Sequence, residues 1–169
     1  LSAPLSAQQS VGQTRNIYQR GSMEPVIPKP ILIPPGSGRF LKLVGVTHKL
    51  TSQQTGSDYY LFESEFDPES GNRLHVHSYE DEIVYVLQGT IQIRLGNDKL
   101  EASAGGIAHL PKWIPHALYN PLKTPLKILA LAIPGGMEQF FDELESALQD
   151  DSMNDAKHRE ISQKYGIEW

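Results

Sequence analysis

Residues 75–89 read HVHSYEDEIVYVLQG, and this stretch combines a strand pattern with a cluster of metal-ligand residue types. Successive side chains of a β-strand point to opposite faces, so the imidazoles of His75 and His77 share one side of a strand. A second strand is predicted over 83–87, and Glu82 lies in line with the inward valines of that strand. A carboxylate on an apolar inner face is unfavourable unless it is paired or bound to a metal ion. The stretch therefore predicts a polar site enclosed by β-structure.

The chain on either side of this stretch also consists of short apolar segments separated by turn residues. The pairs Gln88-Gly89 and Asn97-Asp98 are typical of such turns. Short, regularly spaced strands of this kind indicate an all-β sandwich or barrel. Strands are predicted at 41–50, 59–66, 73–77, 83–87, 90–95, 107–110, 116–119 and 126–133.

The two ends of the chain differ from this central part. Six of the twelve prolines lie within the first 35 residues, where no strand or helix period is sustained, so 1–39 is predicted as an irregular arm. The barrel is assigned to 40–135. A helical extension is expected over 136–169, with helices at about 137–149 and 152–164. The first helix is expected to pack its apolar stripe on the outer face of the barrel, through Met137, Phe140, Phe141, Leu144 and Leu148.

Composition narrows the function classes. The chain has 169 residues and no cysteine, which excludes disulfides, thiolate metal sites and thiol nucleophiles. Residues 1–50 contain six basic residues and one acid, whereas residues 51–169 contain nine basic residues and nineteen acids. An acidic body argues against nucleic acid as a partner, because phosphate binding needs a basic surface. No apolar run approaches the roughly 18 residues of a membrane span, so no membrane partner is expected.

A third histidine completes a candidate metal site. His116 follows Pro111 by five residues and begins a predicted strand. Three imidazoles and one carboxylate, without sulfur, form a nitrogen and oxygen site for a divalent ion. Glu80 and Asp81 are alternative carboxylates. The predicted metal ligands are His75, His77, Glu82 and His116.

The other histidines and two aromatic residues near the motifs have no assigned part in the metal site. His48, His109 and His158 fit no ligand pattern and are expected to be structural or exposed. Trp113 and Tyr119 are expected either to contact a ligand or to pack at the rim.

The spacing of these residues resembles the two motifs of the cupin superfamily over residues 40–135. The first motif, G-x5-H-x-H-x3,4-E-x6-G, is matched by His75, His77, Glu82 and Gly89. The second motif, G-x5-P-x-G-x2-H-x3-N, is matched by Gly105, Pro111, His116 and Asn120. This sequence departs from the pattern at two glycine positions, which are Glu69 and Trp113. The side chain of Asn120 is expected to secure a turn.

The resemblance implies a β-jelly-roll barrel and a function. The chain is similar to single-domain cupins of the bacterial quercetin dioxygenase type, which implies an oxygenase acting on a small aromatic or enolic substrate. One divalent ion per chain, Fe, Mn, Ni, Cu or Zn, would be held by the four ligands. Glu82 would also be the catalytic base. A homodimer with a small-molecule ligand in the barrel is expected.

Two alternatives stay open because the cupin fold supports many activities. The domain could be a non-catalytic small-molecule sensor, or it could be an isomerase or decarboxylase. Residues 1–7, LSAPLSA, have the small side chains found around signal-peptidase sites. Both a cytoplasmic location and export after removal of a leader are therefore compatible with the sequence.

Overall fold

The computed structural model describes residues 30–169, which form eleven strands and three helices. In chain order, the first elements are β1 Arg39–Leu41, β2 Val46–Leu50, α1 Ser52–Thr55, β3 Tyr60–Phe66, β4 Val76–His77, β5 Asp81–Gln88 and β6 Thr90–Leu95. The remaining elements are β7 Asp98–Ser103, β8 Ile107–Leu110, β9 His116–Tyr119, β10 Leu126–Ile133, α2 Glu138–Gln149, α3 Asp155–Lys164 and β11 Ile167–Glu168. No helix among these is long and apolar enough to cross a membrane.

Two antiparallel layers enclose the core. One layer is a six-stranded sheet in the order β1-β2-β3-β10-β5-β8. The other contains the sheet β7-β6-β9 and the strand pair β11-β4, which are joined by bridges at Gly71–Tyr119 and His75–His116. Inward side chains of both layers, such as Val84, Ile93 and Ile128, are almost completely buried. The predicted all-β jelly-roll barrel is therefore confirmed.

The strands differ from the predicted ones where the apolar pattern is weak. The predicted strand 41–50 is interrupted by a turn and becomes β1 and β2. The strand β7 was not predicted because five of its six residues are exposed and show no apolar alternation. The two-residue strand β11 was missed because its pairing with β4 is a tertiary contact that no local pattern encodes. Most of the predicted arm, 1–39, lies outside the described residues, and the division into three regions stays a prediction.

Helix α2 does not pack on the outer face of the barrel, and this expectation is wrong. Tyr60 and Phe62 of β3 align through β10 with Glu82 and Val84 of β5, so all four side chains lie on the inner face of the sheet. The ring of Phe141 lies 5.2 Å from that of Phe62, measured between centroids. The helix therefore covers part of the inner face of the sheet, where Phe141 contacts Tyr60 and Phe62.

Replacement of Phe140 by alanine tests how strongly α2 is held. Phe140 is 5% exposed and packs beside Phe141 and Tyr165. Removing a buried phenylalanine side chain leaves a cavity, so the free energy of unfolding should fall by about 3–5 kcal/mol. Leu148 of the same helix is 38% exposed, and Leu148→Ala should have a much smaller effect. Urea denaturation of the two variants makes the comparison, and equal losses would contradict the assignment.

The two positions that lack a motif glycine have an unusual backbone. Glu69 has φ 54° and Trp113 has φ 68°, both in the left-handed region that side chains with a Cβ rarely adopt. Asn120, by contrast, holds its turn as expected. Its Nδ2 donates to the carbonyls of Phe66, Asp67 and Thr124. The glycine positions of the motifs therefore coincide with left-handed backbone in this chain, and the asparagine position coincides with a bonded turn.

Candidate metal centre

The three predicted histidines come together because two chain segments pair directly at the site. The backbone amide of His75 donates to the carbonyl of His116 at 2.9 Å, and the reciprocal bond is 2.8 Å. His77 follows two residues later on the same face. One nitrogen from each of the three rings lies within 4.8 Å of the others, and all three side chains are buried. The spacing H-x-H and the distant histidine thus meet in space as the sequence analysis expected.

The outer nitrogens of the rings are directed away from the centre by hydrogen bonds. The Nδ1 of His75 lies 2.7 Å from the carbonyl of Arg73, and the Nδ1 of His116 lies 3.1 Å from the carbonyl of Ile114. A carbonyl only accepts, so in the neutral rings both Nδ1 atoms are protonated and both Nε2 atoms carry lone pairs. The Nε2 of His116 is buried and has no hydrogen-bond partner among residues 30–169. This donor set fits a cation.

Glu82 of β5 faces the same space from the opposite layer. Its Oε2 lies 3.6 Å from the Nε2 of His116 and 3.9 Å from the Nε2 of His77. The side chain is buried, with only 6% exposed. Burial opposes ionisation of this carboxyl, but the polar contact with His116 and the positive charge of the facing imidazoles when they are protonated outweigh it and hold the pKa of Glu82 below its usual range. Glu82 is therefore placed to act as a charged fourth ligand.

Burial has the opposite consequence for the first histidine. It disfavours the imidazolium form and, together with the neighbouring rings of His77 and His116, lowers the pKa of His75 to about 4. The ring is consequently neutral at physiological pH, which is the form that binds a metal ion.

The metal-free protein should lose stability as the pH falls from about 6.5 to about 4. Between pH 6.5 and pH 4 the unfolded chain takes up a proton at His75 that the folded chain does not, so the free energy of unfolding decreases. The decrease attributable to this group is about 3 kcal/mol, and it is complete near pH 4. Urea denaturation in the presence of a chelator at pH 7, 5.5 and 4.5 measures it. His75→Gln should have a shallower slope, and an unchanged slope would refute the assignment.

Of the two alternative carboxylates, neither faces the centre. Asp81 accepts a hydrogen bond from the backbone amide of Lys112 at 2.9 Å. The Oε2 of Glu80 lies 3.7 Å from the Nδ1 of His77, on the outer side of that ring, and both atoms are buried without another partner among the described residues. Glu80 thus occupies for His77 the position that backbone carbonyls occupy for His75 and His116. The sequence analysis considered Glu80 only as a ligand and missed this outer role.

The variant Glu80→Gln tests this outer contact. Carboxylates behind a metal-binding histidine orient the ring and raise its basicity, and their loss weakens metal binding about 10- to 100-fold. We expect that loss for Glu80→Gln in calorimetric titrations with Zn²⁺. The neighbouring variant Asp81→Asn removes the same charge away from the rings and serves as the control. Equal affinities of Glu80→Gln and the wild-type protein would contradict the outer role.

A cavity of about 730 Å³ opens beside the histidines. Its apolar wall includes Phe62 and Ile128 from the barrel and Phe140 and Phe141 from α2. Trp169, which the sequence analysis did not single out, also lines the cavity. The cavity therefore brings aromatic and aliphatic side chains together with the imidazoles of His75 and His77.

The remaining candidates are distributed differently. Trp113 and Tyr119 are 63% and 41% exposed and are not among the residues that line the cavity. His48 is buried and hydrogen-bonds to the hydroxyl of Tyr60 at 2.7 Å. His109 is exposed, whereas His158 lines the mouth of the cavity.

The comparisons with known proteins agree with this architecture. Residues 62–132 match the model of the family described as Cupin domain. The matched part of the barrel is a cupin domain. The matched range includes all four candidate ligands, which are His75, His77, Glu82 and His116. The cupin domain thus contains the whole candidate centre.

Individual proteins resemble this chain over only part of its length. The chain is 38% identical over 61 residues to the uncharacterized protein MJ1618 of Methanocaldococcus jannaschii, which spans 36% of this chain and 49% of the relative. The chain thus covers about half the length of this curated relative. A crystal structure from Thermotoga maritima, described as a predicted oxalate decarboxylase, is 24% identical with a TM-score of 0.51, over 53% of this chain and 78% of that one. KdgF from Halomonas sp. is 23% identical with a TM-score of 0.48, over 56% and 84%. The likeness to the Thermotoga maritima structure shows a shared fold and selects no reaction.

Proposed function

We propose that this protein is a metal-dependent cupin that holds one divalent ion, Fe, Mn, Ni, Cu or Zn, at His75, His77, Glu82 and His116. The observation that carries the proposal is the orientation of the imidazoles. The Nε2 atoms of His75 and His77 are 3.0 Å apart, and backbone carbonyls behind His75 and His116 assign their protons to the outer nitrogens. Two Nε2 atoms at this distance repel unless a proton or a cation lies between them, and Glu80 behind the Nδ1 of His77 favours a proton on that outer nitrogen and a cation at the centre.

The reaction we propose is oxygenation of a small aromatic or enolic compound. When bound, a divalent ion supplies Lewis-acid chemistry that lowers the pKa of an enol or phenol, and a redox-active ion also supplies electron transfer. Glu82 is ionised and adjacent to the proposed ion, so its carboxylate would accept the proton that the substrate releases. The aromatic wall, including Phe62 and Phe141, would hold the substrate ring and exclude water.

The intact ligand set favours an enzyme over a sensor, since a pure binding pocket has less need of a complete metal site. Elemental analysis of protein purified without added metal is the first test, followed by oxygen consumption with a flavonol. Stoichiometric Fe, Mn, Ni or Cu with substrate-dependent oxygen uptake would support the oxygenase. A bound ion with ligand binding but no turnover of any enolic compound would favour the sensor. A well-folded protein that binds no divalent ion would refute the proposal.

We also propose that the protein is a homodimer. Tyr85 of β5 pairs with Ile107 of the edge strand β8, so both side chains lie on the outer face of the sheet beside Leu87. All three are well exposed, and Ile107 reaches 68%. Light scattering during size-exclusion chromatography should give twice the chain mass, and Ile107→Lys should give the monomer. A monomeric wild-type protein would contradict this assembly.

A further inference from the structure

The last strand of the chain is paired directly with the strand that bears the ligands. Ile167 of β11 pairs with His77 of β4, and the next residue, Glu168, pairs with Val76. The amide of Ser78 also donates to the carbonyl of Gly166 at 2.7 Å. Ile167 is 1% exposed, which anchors the strand in the core. The residue that follows this anchored strand therefore has a defined position beside the imidazoles.

That residue, Trp169, forms part of the cavity wall. Its indole ring lies 5.1 Å from the ring of His75 and 4.9 Å from the ring of His158, measured between centroids. These are contact distances for aromatic pairs. The side chain is nevertheless 44% exposed, so part of the indole remains available to a molecule in the cavity. Trp169 thus contacts both the candidate ligand His75 and His158 on the cavity wall.

We propose that Trp169 is a specificity-determining residue that contacts the aromatic part of a ligand whose oxygen atoms are held at the histidines. This inference rests on the proposed metal-dependent function. The geometry favours a planar aromatic ligand, because the indole lies next to His75 and therefore next to the position of the proposed ion. A ligand that binds the ion through two oxygens and extends past His75 along the cavity wall would place its next group against this ring. A ring in that place would stack, whereas a methyl group would leave most of the indole uncovered.

The size of the preference follows from aromatic pairs in general. Such pairs contribute enough beyond area burial to change a dissociation constant about 2- to 12-fold. Burial of the remaining ring surface adds to this preference. His75 itself stays in place without the indole, because its backbone is bonded to His116 and its Nδ1 to Arg73. Loss of Trp169 should therefore reduce discrimination among ligands more than it reduces metal binding.

The experiment compares two probes with the same metal-binding group. Benzohydroxamate and acetohydroxamate differ only in a phenyl and a methyl group, and both are titrated into Zn²⁺-loaded protein by calorimetry. We expect the wild-type protein to prefer benzohydroxamate, Trp169→Ala to lose about 2- to 12-fold of that preference, and Trp169→Phe to restore part of it. Trp113→Phe, at an exposed tryptophan that does not line the cavity, is the matched control and should leave the preference unchanged.

A second readout does not depend on the stability of Trp169→Ala. The chain has two tryptophans, so in Trp113→Phe the fluorescence reports Trp169 alone. Zn²⁺ followed by benzohydroxamate should shift or quench this emission, and acetohydroxamate should change it much less. If Zn²⁺ does not bind to the wild-type protein, the proposed function fails and this inference fails with it. If Zn²⁺ binds but Trp169→Ala keeps the full preference, or both probes change the emission equally, only the role of Trp169 is refuted.

Discussion

Replacing Glu82 by glutamine is expected to reduce turnover by about 10²- to 10⁴-fold while part of the metal affinity is kept. Three imidazoles hold a divalent ion without a fourth protein ligand in known zinc enzymes, so the ion should still bind, though more weakly. The amide keeps the size of the side chain and one acceptor oxygen but cannot accept a proton near neutral pH. General-base catalysis typically contributes a factor of this order. Steady-state kinetics on variant protein reloaded with metal measure the effect.

The control for this variant is Glu101→Gln, which removes a carboxylate from an exposed position of β7. Glu101 contacts Gln92 and does not line the cavity, so its loss should leave turnover unchanged. Turnover of reloaded Glu82→Gln close to that of the wild-type protein would show that Glu82 is a ligand only. The proton-transfer role proposed above would then have to be abandoned.

Replacing His116 by alanine is expected to remove metal and activity together. His116 is completely buried, and its Nε2 lies 3.6 Å from the Oε2 of Glu82, closer than the Nε2 of His77. Loss of a direct ligand should weaken Zn²⁺ binding by more than the about 10- to 100-fold that follows loss of an outer partner. The exposed His109→Ala serves as the control. Calorimetric titration and elemental analysis make the measurement, and retention of a stoichiometric ion by His116→Ala would refute the ligand set.

Much of the barrel could be predicted because its strands alternate between apolar and exposed side chains. The predicted strand 90–95 coincides with β6, and 126–133 coincides with β10. The shared orientation of His75 and His77 could also be predicted, because strand periodicity places both side chains on one face. The strand β11 and its Trp169 could not be predicted, since two residues have no period. Their position depends on pairing with β4 across the fold.

The orientation of α2 was missed for a related reason. The spacing of Phe140, Phe141 and Leu144 predicts an amphipathic helix but not which surface of the barrel receives it. That choice depends on the uncovered inner aromatics Tyr60 and Phe62, which are known to share a face with Glu82 only from the sheet register. Glu80 is a similar case, because the spacing of acidic residues does not distinguish a ligand from a partner of the outer ring nitrogen.

The left-handed backbone of Glu69 and Trp113 bears on how distant members of this family are found. Both residues occupy positions where the motifs have glycine, and both keep the conformation that glycine adopts easily. The conformation costs a residue with a Cβ about 1–2 kcal/mol, which a folded domain can tolerate. At these two positions the chain thus keeps the backbone conformation of the motif but not its residue type. A motif search that required glycine at both positions would miss this chain. A comparison that used the φ angle at those positions would find it.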